Sequence, residues 1–383
     1  MRLEQLDALR GLALFGILIV NIFIFHAPYT HYSAFYGTFD GYQSLVLSIV
    51  LFLFGGKSMF IYAFLFGYSF RLQKVKANND RAFQAYWRRR MIVLAVFGLL
   101  HVLLLSFGDI LLPYAVLGLS LPWLSKLKNR WLLLIALLVN FVPVYEFMLR
   151  GLIEFPSVFM QPVYDLETYV DVNRNGSYWE VMKLRLSDYA AFRNEKLVRY
   201  IPKELSLFML GIVMSRLSLA SNPNPRYCIP FCLISLPLVA AIGIFEESLF
   251  SMFDFEQSMT QRLALGLIVH SCELLHGMLY VIGFFLIWKL AFAKRTLSLL
   301  QYPGRLSLTN YLIQSFVCLV FFSGLDLYGK LGPAELALMA IAIYLCQAVG
   351  SALWLRRYQF GPLEYLWRML CKRKPPPRYS SAD

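Results

Sequence analysis

Residues 97–118 read FGLLHVLLLSFGDILLPYAVLG, an apolar run that nevertheless holds His101 and Asp109. An ionisable group at the centre of a bilayer costs about 2.5–3.5 kcal/mol on insertion scales unless a partner or water compensates it. If this run sits in lipid, the two side chains need each other, a third polar group or a cavity.

The composition puts the run in a membrane. Of 383 residues, 58% are hydrophobic and 15% charged, with a mean hydropathy of +0.57, whereas a soluble domain carries about 25% charged residues. The net charge of +13 raises nucleic acid as a partner, but the basic residues sort to one side of the apolar runs, so the bilayer is the partner and nucleic acid is excluded. The first run, GLALFGILIVNIFIF (11–25), follows Arg2 and Arg10 as a secretory signal would. No small-residue cleavage site follows it and further apolar runs do, so it reads as a retained helix. The six cysteines are scattered without a C-x-x-C pair, which implies packing residues, no disulfide framework and no metal site.

A helix needs about 20 apolar residues to cross hydrocarbon, which places spans near 11–27, 44–70, 90–107, 109–125, 131–149, 204–220, 228–246, 263–290, 307–325 and 334–355. The expected fold is therefore an all-α, polytopic transmembrane bundle of about ten spans. The second span carries Gly55, Gly56 and Lys57, so it is either one helix or a broken one. Residues 71–90 hold seven basic residues and one acid, and 126–130 and 293–305 each add three bases; all lie on one side if the spans alternate. The opposite side has no base in 26–40 and four acids with no base in 245–258. The positive-inside rule then puts both termini in the cytoplasm. The chain divides into an N-terminal transmembrane part (1–149), an outer loop (150–203), a C-terminal transmembrane part (204–371) and a basic, proline-rich tail (372–383). Within the loop, Trp179, Met182, Leu186 and Tyr189 recur at helical spacing, as in an amphipathic helix that lies on the membrane or caps a cavity.

Polar residues inside the spans are the functional candidates. Asp7 and Arg10 are spaced to pair on the first helix, where Gly11 and Gly16 admit a close neighbour and Asn21 lies in the outer half. His101 and Asp109 are about 12 Å apart along a continuous helix, but Gly108 and Pro113 break the chain and let them converge. A neutral His beside a carboxylate is a competent general base; the alternative is a His satisfied by a carbonyl or by Tyr114, with Asp109 as a helix N-cap. His270, Glu273 and His276 follow on the eighth span as a polar cavity wall. Thr309, Asn310, Gln314 and Ser315 form a one-sided stripe on the ninth, matched by Gln347 and Ser351 on the tenth, at spacings that interhelical hydrogen bonds also explain.

The segments LDALRGLALFGILIVNI (6–22), FIYAFLFGYSF (60–70), RRRMIVLAVFGLLHVLLLSFGDILLPYAVLG (88–118), LFMLGIVMSR (207–216), GRLSLTNYLIQS (304–315) and QFGPLEYLWRML (359–370) resemble the YeiB family, bacterial inner-membrane proteins with a C-terminal domain of unknown function. That family is similar to the transmembrane acyltransferases, which include the heparan glucosaminide acetyltransferase group and bacterial surface-glycan O-acyltransferases. The resemblance implies transfer of an acyl group from cytoplasmic acyl-CoA to an acceptor it does not identify. In the O-acyltransferase branch a catalytic His follows the first-helix Arg at the spacing that Asn21 occupies here, so the resemblance makes His101 the replacement, either as base or as the group that is itself acylated. Asp109 orients it, Asn21 or Gln314 donates to the oxyanion, and Arg88, Arg89 and Arg90, with Lys74 and Lys76, hold the CoA phosphates. A second copy of the chain is a candidate partner. The rival class is a small-molecule exporter that uses Asp109, His270, Glu273 and His276 as a proton relay.

Overall fold

A computed structural model describes residues 3–77, 79–149, 164–245 and 259–371. The acids expected in 245–258, the first part of the outer loop and the tail 372–383 lie outside the described residues. The principal elements are α1 (Glu4–His26), α2 (Tyr42–Phe54), α3 (Lys57–Val75), α4 (Asp80–Leu104), α5 (Leu111–Gly118), α6 (Asn129–Asn140), α7 (Val142–Leu149), α8 (Leu166–Asn175), α9 (Tyr178–Glu195), α10 (Ile201–Arg216), α11 (Pro225–Ile244), α12 (Met259–Ile287), α13 (Ser307–Leu319), α14 (Pro333–Arg357) and α15 (Pro362–Cys371). A π-helical turn, Lys196–Tyr200, joins α9 to α10, and a second, Val320–Gly324, extends α13. There is no strand among the described residues.

The protein is an all-α membrane bundle. Glu4–His26, Tyr42–Val75, Pro225–Ile244, Leu263–Ile287, Ser307–Gly324 and Pro333–Arg357 are long and apolar enough to cross a bilayer. The other four predicted spans are also helical, as α4, α5, α6 with α7, and α10. These are shorter or, in α4, interrupted by Arg88–Arg90. Leu233 and Ile234 on α11 and Leu338 and Leu345 on α14 are more than half exposed, an apolar exterior suited to lipid. The second predicted span is a broken helix: Gly56 turns at φ +73°, and α3 restarts with Ser58 against Gly16 in the middle of α1.

Two crossings of small residues set the packing. A Cβ on Gly67 would lie 1.9 Å from the Phe208 carbonyl oxygen, and one on Gly211 2.1 Å from that of Phe64, so α3 and α10 meet backbone to backbone. Gly11 stands in the same way against the Leu300 carbonyl, and Gly304 against that of Asp7. Such approaches give membrane helices the van der Waals contact that the hydrophobic effect does not supply between them.

Residues 164–203 form a cap, but its buried face differs from the expected stripe. Trp179 and Leu186 point outward, at 72% and 38% exposure, while Val181, Met182, Arg185 and Asp188 are buried. The reason is polar docking: Arg185 donates to the Leu105 carbonyl, the Tyr169 hydroxyl donates to Asp188, and Arg174 donates to the Tyr328 carbonyl at 2.8 Å. Burial pushes the Asp188 carboxyl up from 3.8 to about 7, against the opposing pull of the Tyr169 hydroxyl and Arg185.

Two outcomes follow from this packing. Gly211→Ala should destabilise the protein by about 1–3 kcal/mol, seen as a lower unfolding temperature in detergent; an unchanged temperature would mean the helices cross elsewhere. A carboxyl whose folded pKa is raised binds more protons in the folded protein, so the cap is most stable at acid pH. It should loosen as pH rises towards about 7. Hydrogen exchange across 166–195 should be faster at pH 8 than at pH 5 after correction for intrinsic rates, and Asp188→Asn should flatten the difference.

Candidate functional site

The site is assembled where α4 ends. The Leu105 and Ser106 amides both bond to the His101 carbonyl, at 2.8 and 3.0 Å, and close the helix there. The chain then turns through Gly108, and α5 begins under Asp109, whose Oδ2 accepts the Leu112 amide at 2.7 Å. Its Oδ1 lies 3.0 Å from His101 Nδ1, so one side chain both accepts an amide of the first turn of α5 and partners the histidine. If Asp109 is ionised it only accepts, and the ring proton then lies on Nδ1 and leaves Nε2 as an acceptor. Nε2 stands 2.9 Å from Ser315 Oγ of α13. The three residues form a Ser–His–Asp chain, 3%, 2% and 1% exposed respectively.

Around this chain, the Lys196 ammonium donates to the Asp109 main-chain carbonyl from the π-helical turn, and the Tyr311 ring lies over His101 with centroids 5.0 Å apart. Glu204, at the start of α10, is 4% exposed, and neither of its carboxylate oxygens has a hydrogen-bond partner among the described residues. The sequence alone did not single out Lys196, Glu204 or the Ser315–His101 contact. Glu204 carried a signal, a lone acid just ahead of the apolar run LSLFMLGIV, and Ser315 was visible only as one member of a polar stripe.

Two large cavities enter from opposite ends of the bundle. One, of about 760 Å³, opens at the basic end and is lined by Asp7, Arg10, Lys76, Arg90, Arg305 and Arg368, with Tyr114, Ile110 and Tyr311 deeper in. Both of its acids are engaged. Asp7 accepts from Arg10 at 2.8 Å, and Glu364 caps α13 by accepting the Leu308 and Thr309 amides at 2.7 and 3.0 Å. The cavity therefore presents a surplus of cations. Arg90 stacks on Trp367 of α15 at 3.9 Å, and the Trp367 indole donates to the Arg90 carbonyl. The second cavity, of about 740 Å³, is lined by Asn21, Lys57, Met59, Asn140, Lys203, Glu204, His270 and Glu273. The wall between them is thin: Tyr114 lines the basic cavity, while its hydroxyl donates to the carbonyl of Met59, which lines the other, at 3.3 Å.

The sequence candidates fall into groups. Asp7, Arg10 and Arg90 face the basic cavity. Arg88 and Arg89 do not: both are exposed, because consecutive helical residues point in different directions. Lys74 donates to Ser125 Oγ at 2.9 Å. Asn21, His270 and Glu273 face the other cavity, with Glu273 paired to Lys203. His276 is instead packed against Phe52 and Tyr280, with ring centroids 5.2 and 5.3 Å away. Asn310 and Gln314 line neither cavity: Asn310 donates to Ser351 at 3.0 Å and Gln314 to Gln347 at 2.8 Å, which leaves them as ties between α13 and α14. The Gln314 amide nitrogen is thus committed to Gln347, and Asn21 stands on the wall of the second cavity. His101 and Asp109 themselves line neither cavity; they are packed behind the Tyr311 and Ile110 side of the basic one.

Comparison with known proteins covers this whole assembly. A family profile described as "Protein of unknown function (DUF418)" matches residues 218–374. The chain is 30% identical over 387 residues to "Uncharacterized protein YxaH" of Bacillus subtilis (strain 168), covering 96% of this chain and 93% of that one. It is 24% identical over 396 residues to "Uncharacterized protein YeiB" of Escherichia coli (strain K12), covering 99% and 98%. The chain therefore belongs to the YeiB-like family of membrane proteins, whose C-terminal part is the DUF418 region.

Proposed function

We propose that the protein is a multi-pass acyltransferase of the bacterial inner membrane that passes an acyl group from cytoplasmic acyl-CoA to an acceptor held on the other side. The observation that carries this reading is the pair of cavities that meet at the Tyr114–Met59 wall, beside a buried His101–Asp109 pair. By the positive-inside rule the basic cavity faces the cytoplasm. Its cations suit the phosphates of a CoA thioester, and its apolar depth suits the acyl chain. The opposite cavity, with Asn21, Lys203 and Glu204 on its wall, suits an acceptor that brings a hydroxyl or amine. His101 serves as the base, held by Asp109 in the tautomer that leaves Nε2 free to accept a proton.

The same wall supports one second reading, proton-coupled export, in which Glu204 and Lys196 carry the proton between the cavities. The two readings separate on the donor. Purified protein in detergent should bind acetyl-CoA or a longer acyl-CoA saturably by calorimetry, and Arg90→Ala should weaken binding about tenfold to a hundredfold, the equivalent of one charge-assisted contact. Arg88→Ala, outside the cavity, should leave it unchanged. Absence of binding by folded protein would favour export. With donor bound, Asp109→Asn should lower the rate of acyl-CoA consumption by about 10⁴ through loss of the tautomer, with Kd little altered; a rate within tenfold of the parent would remove His101–Asp109 from the chemistry.

A further inference from the structure

We infer that Ser315 carries the acyl group as a covalent ester between donor and acceptor, an inference that rests on the acyltransferase reading. Ser315 Oγ is 2.9 Å from His101 Nε2, and Asp109 Oδ1 is 3.0 Å from the far ring nitrogen; with the ring proton on that nitrogen, the seryl hydroxyl can donate to the lone pair able to take its proton. The other contact of this hydroxyl, to the Tyr311 carbonyl one turn back, is long at 3.4 Å and competes weakly.

The position on α13 supplies the route. Ser307, Leu308 and Tyr311 line the basic cavity, and the next residue on that face, four beyond Tyr311, is Ser315. The Tyr311 side chain, whose ring centroid is 5.0 Å from that of His101, stands with Ile110 between the pair and the cavity, and displacing it would admit a thioester. Directly beyond, α13 passes into the π-helical turn Val320–Gly324, a form that recurs at functional sites. With all three members of the chain 3% exposed or less, a seryl ester formed there is shielded from water.

The step balances within the named groups. Ser315 Oγ bonds to the thioester carbonyl carbon as its proton passes to His101 Nε2; the carbon–sulfur bond breaks, and the CoA thiolate takes that proton and leaves. In the second half the acceptor hydroxyl or amine gives its proton to Nε2, its oxygen or nitrogen bonds to the acyl carbon, and Ser315 Oγ leaves with the proton from Nε2.

The test is incubation of the purified full chain with acetyl-CoA and, in parallel, palmitoyl-CoA, without acceptor, followed by intact-mass and peptide mass spectrometry and a thiol assay of released CoA. The expected result is a stoichiometric burst of CoA and one acyl group on the peptide that contains Ser315. Ser315→Ala should bind donor with unchanged Kd but lose both burst and adduct. Ser315→Cys, which keeps the side-chain shape, should carry the acyl group as a hydroxylamine-labile thioester, and His101→Ala should form no adduct. Acyl-CoA that binds without any adduct, an adduct on His101 or elsewhere, or a burst retained in Ser315→Ala would overturn the inference while leaving acyl transfer standing. Failure of the folded protein to bind either acyl-CoA would overturn the acyltransferase reading and this inference with it.

Discussion

The buried carboxylate of Asp109 is the constraint on which the rest of the structure depends. At 1% exposure among apolar helices its oxygens are cut off from solvent and need partners within the protein. One oxygen takes the Leu112 amide and the other faces His101 Nδ1. Meeting both demands requires α4 to stop at Leu104 and α5 to start at Leu111, so that helix ending, helix start and ring orientation are solved together. The third member then follows: with Nδ1 committed to Asp109, Nε2 needs a donor, and Ser315 of α13 meets it. The cationic Lys196 at the Asp109 carbonyl adds favourable charge beside the same residue.

The bundle holds this polar group by bringing helices unusually close elsewhere. Backbone contact at Gly67–Gly211 and at Gly11–Gly304 draws α3 to α10 and α1 to the turn before α13. The break at Gly56 puts Lys57 and Met59 on a cavity wall in place of a lipid face. Polar ties such as Asn310–Ser351 and Gln314–Gln347 contribute adhesion between α13 and α14 and carry no cavity role.

The amino-acid sequence by itself determined that the chain is an all-helical membrane bundle, roughly where its helices run, and that Asp7 lies within reach of Arg10; for His101 and Asp109 it offered convergence as one of two readings. These are local properties: hydropathy over a span, a charge pattern at its ends, a helical repeat of three, and a glycine–proline break between residues eight apart. Only the tertiary structure decided what those groups face. Ser315 meets His101 across 214 positions, and Glu204 and Lys196 reach the same region from a helix start and a π-helical turn, contacts that no local pattern encodes. It also decided between like residues. Of three consecutive arginines only Arg90 enters a cavity, because each helical step turns the side chain by about 100° and neighbouring helices select which direction is inward. His270 and His276 part company for the same reason, one on a cavity wall and one packed against aromatic rings.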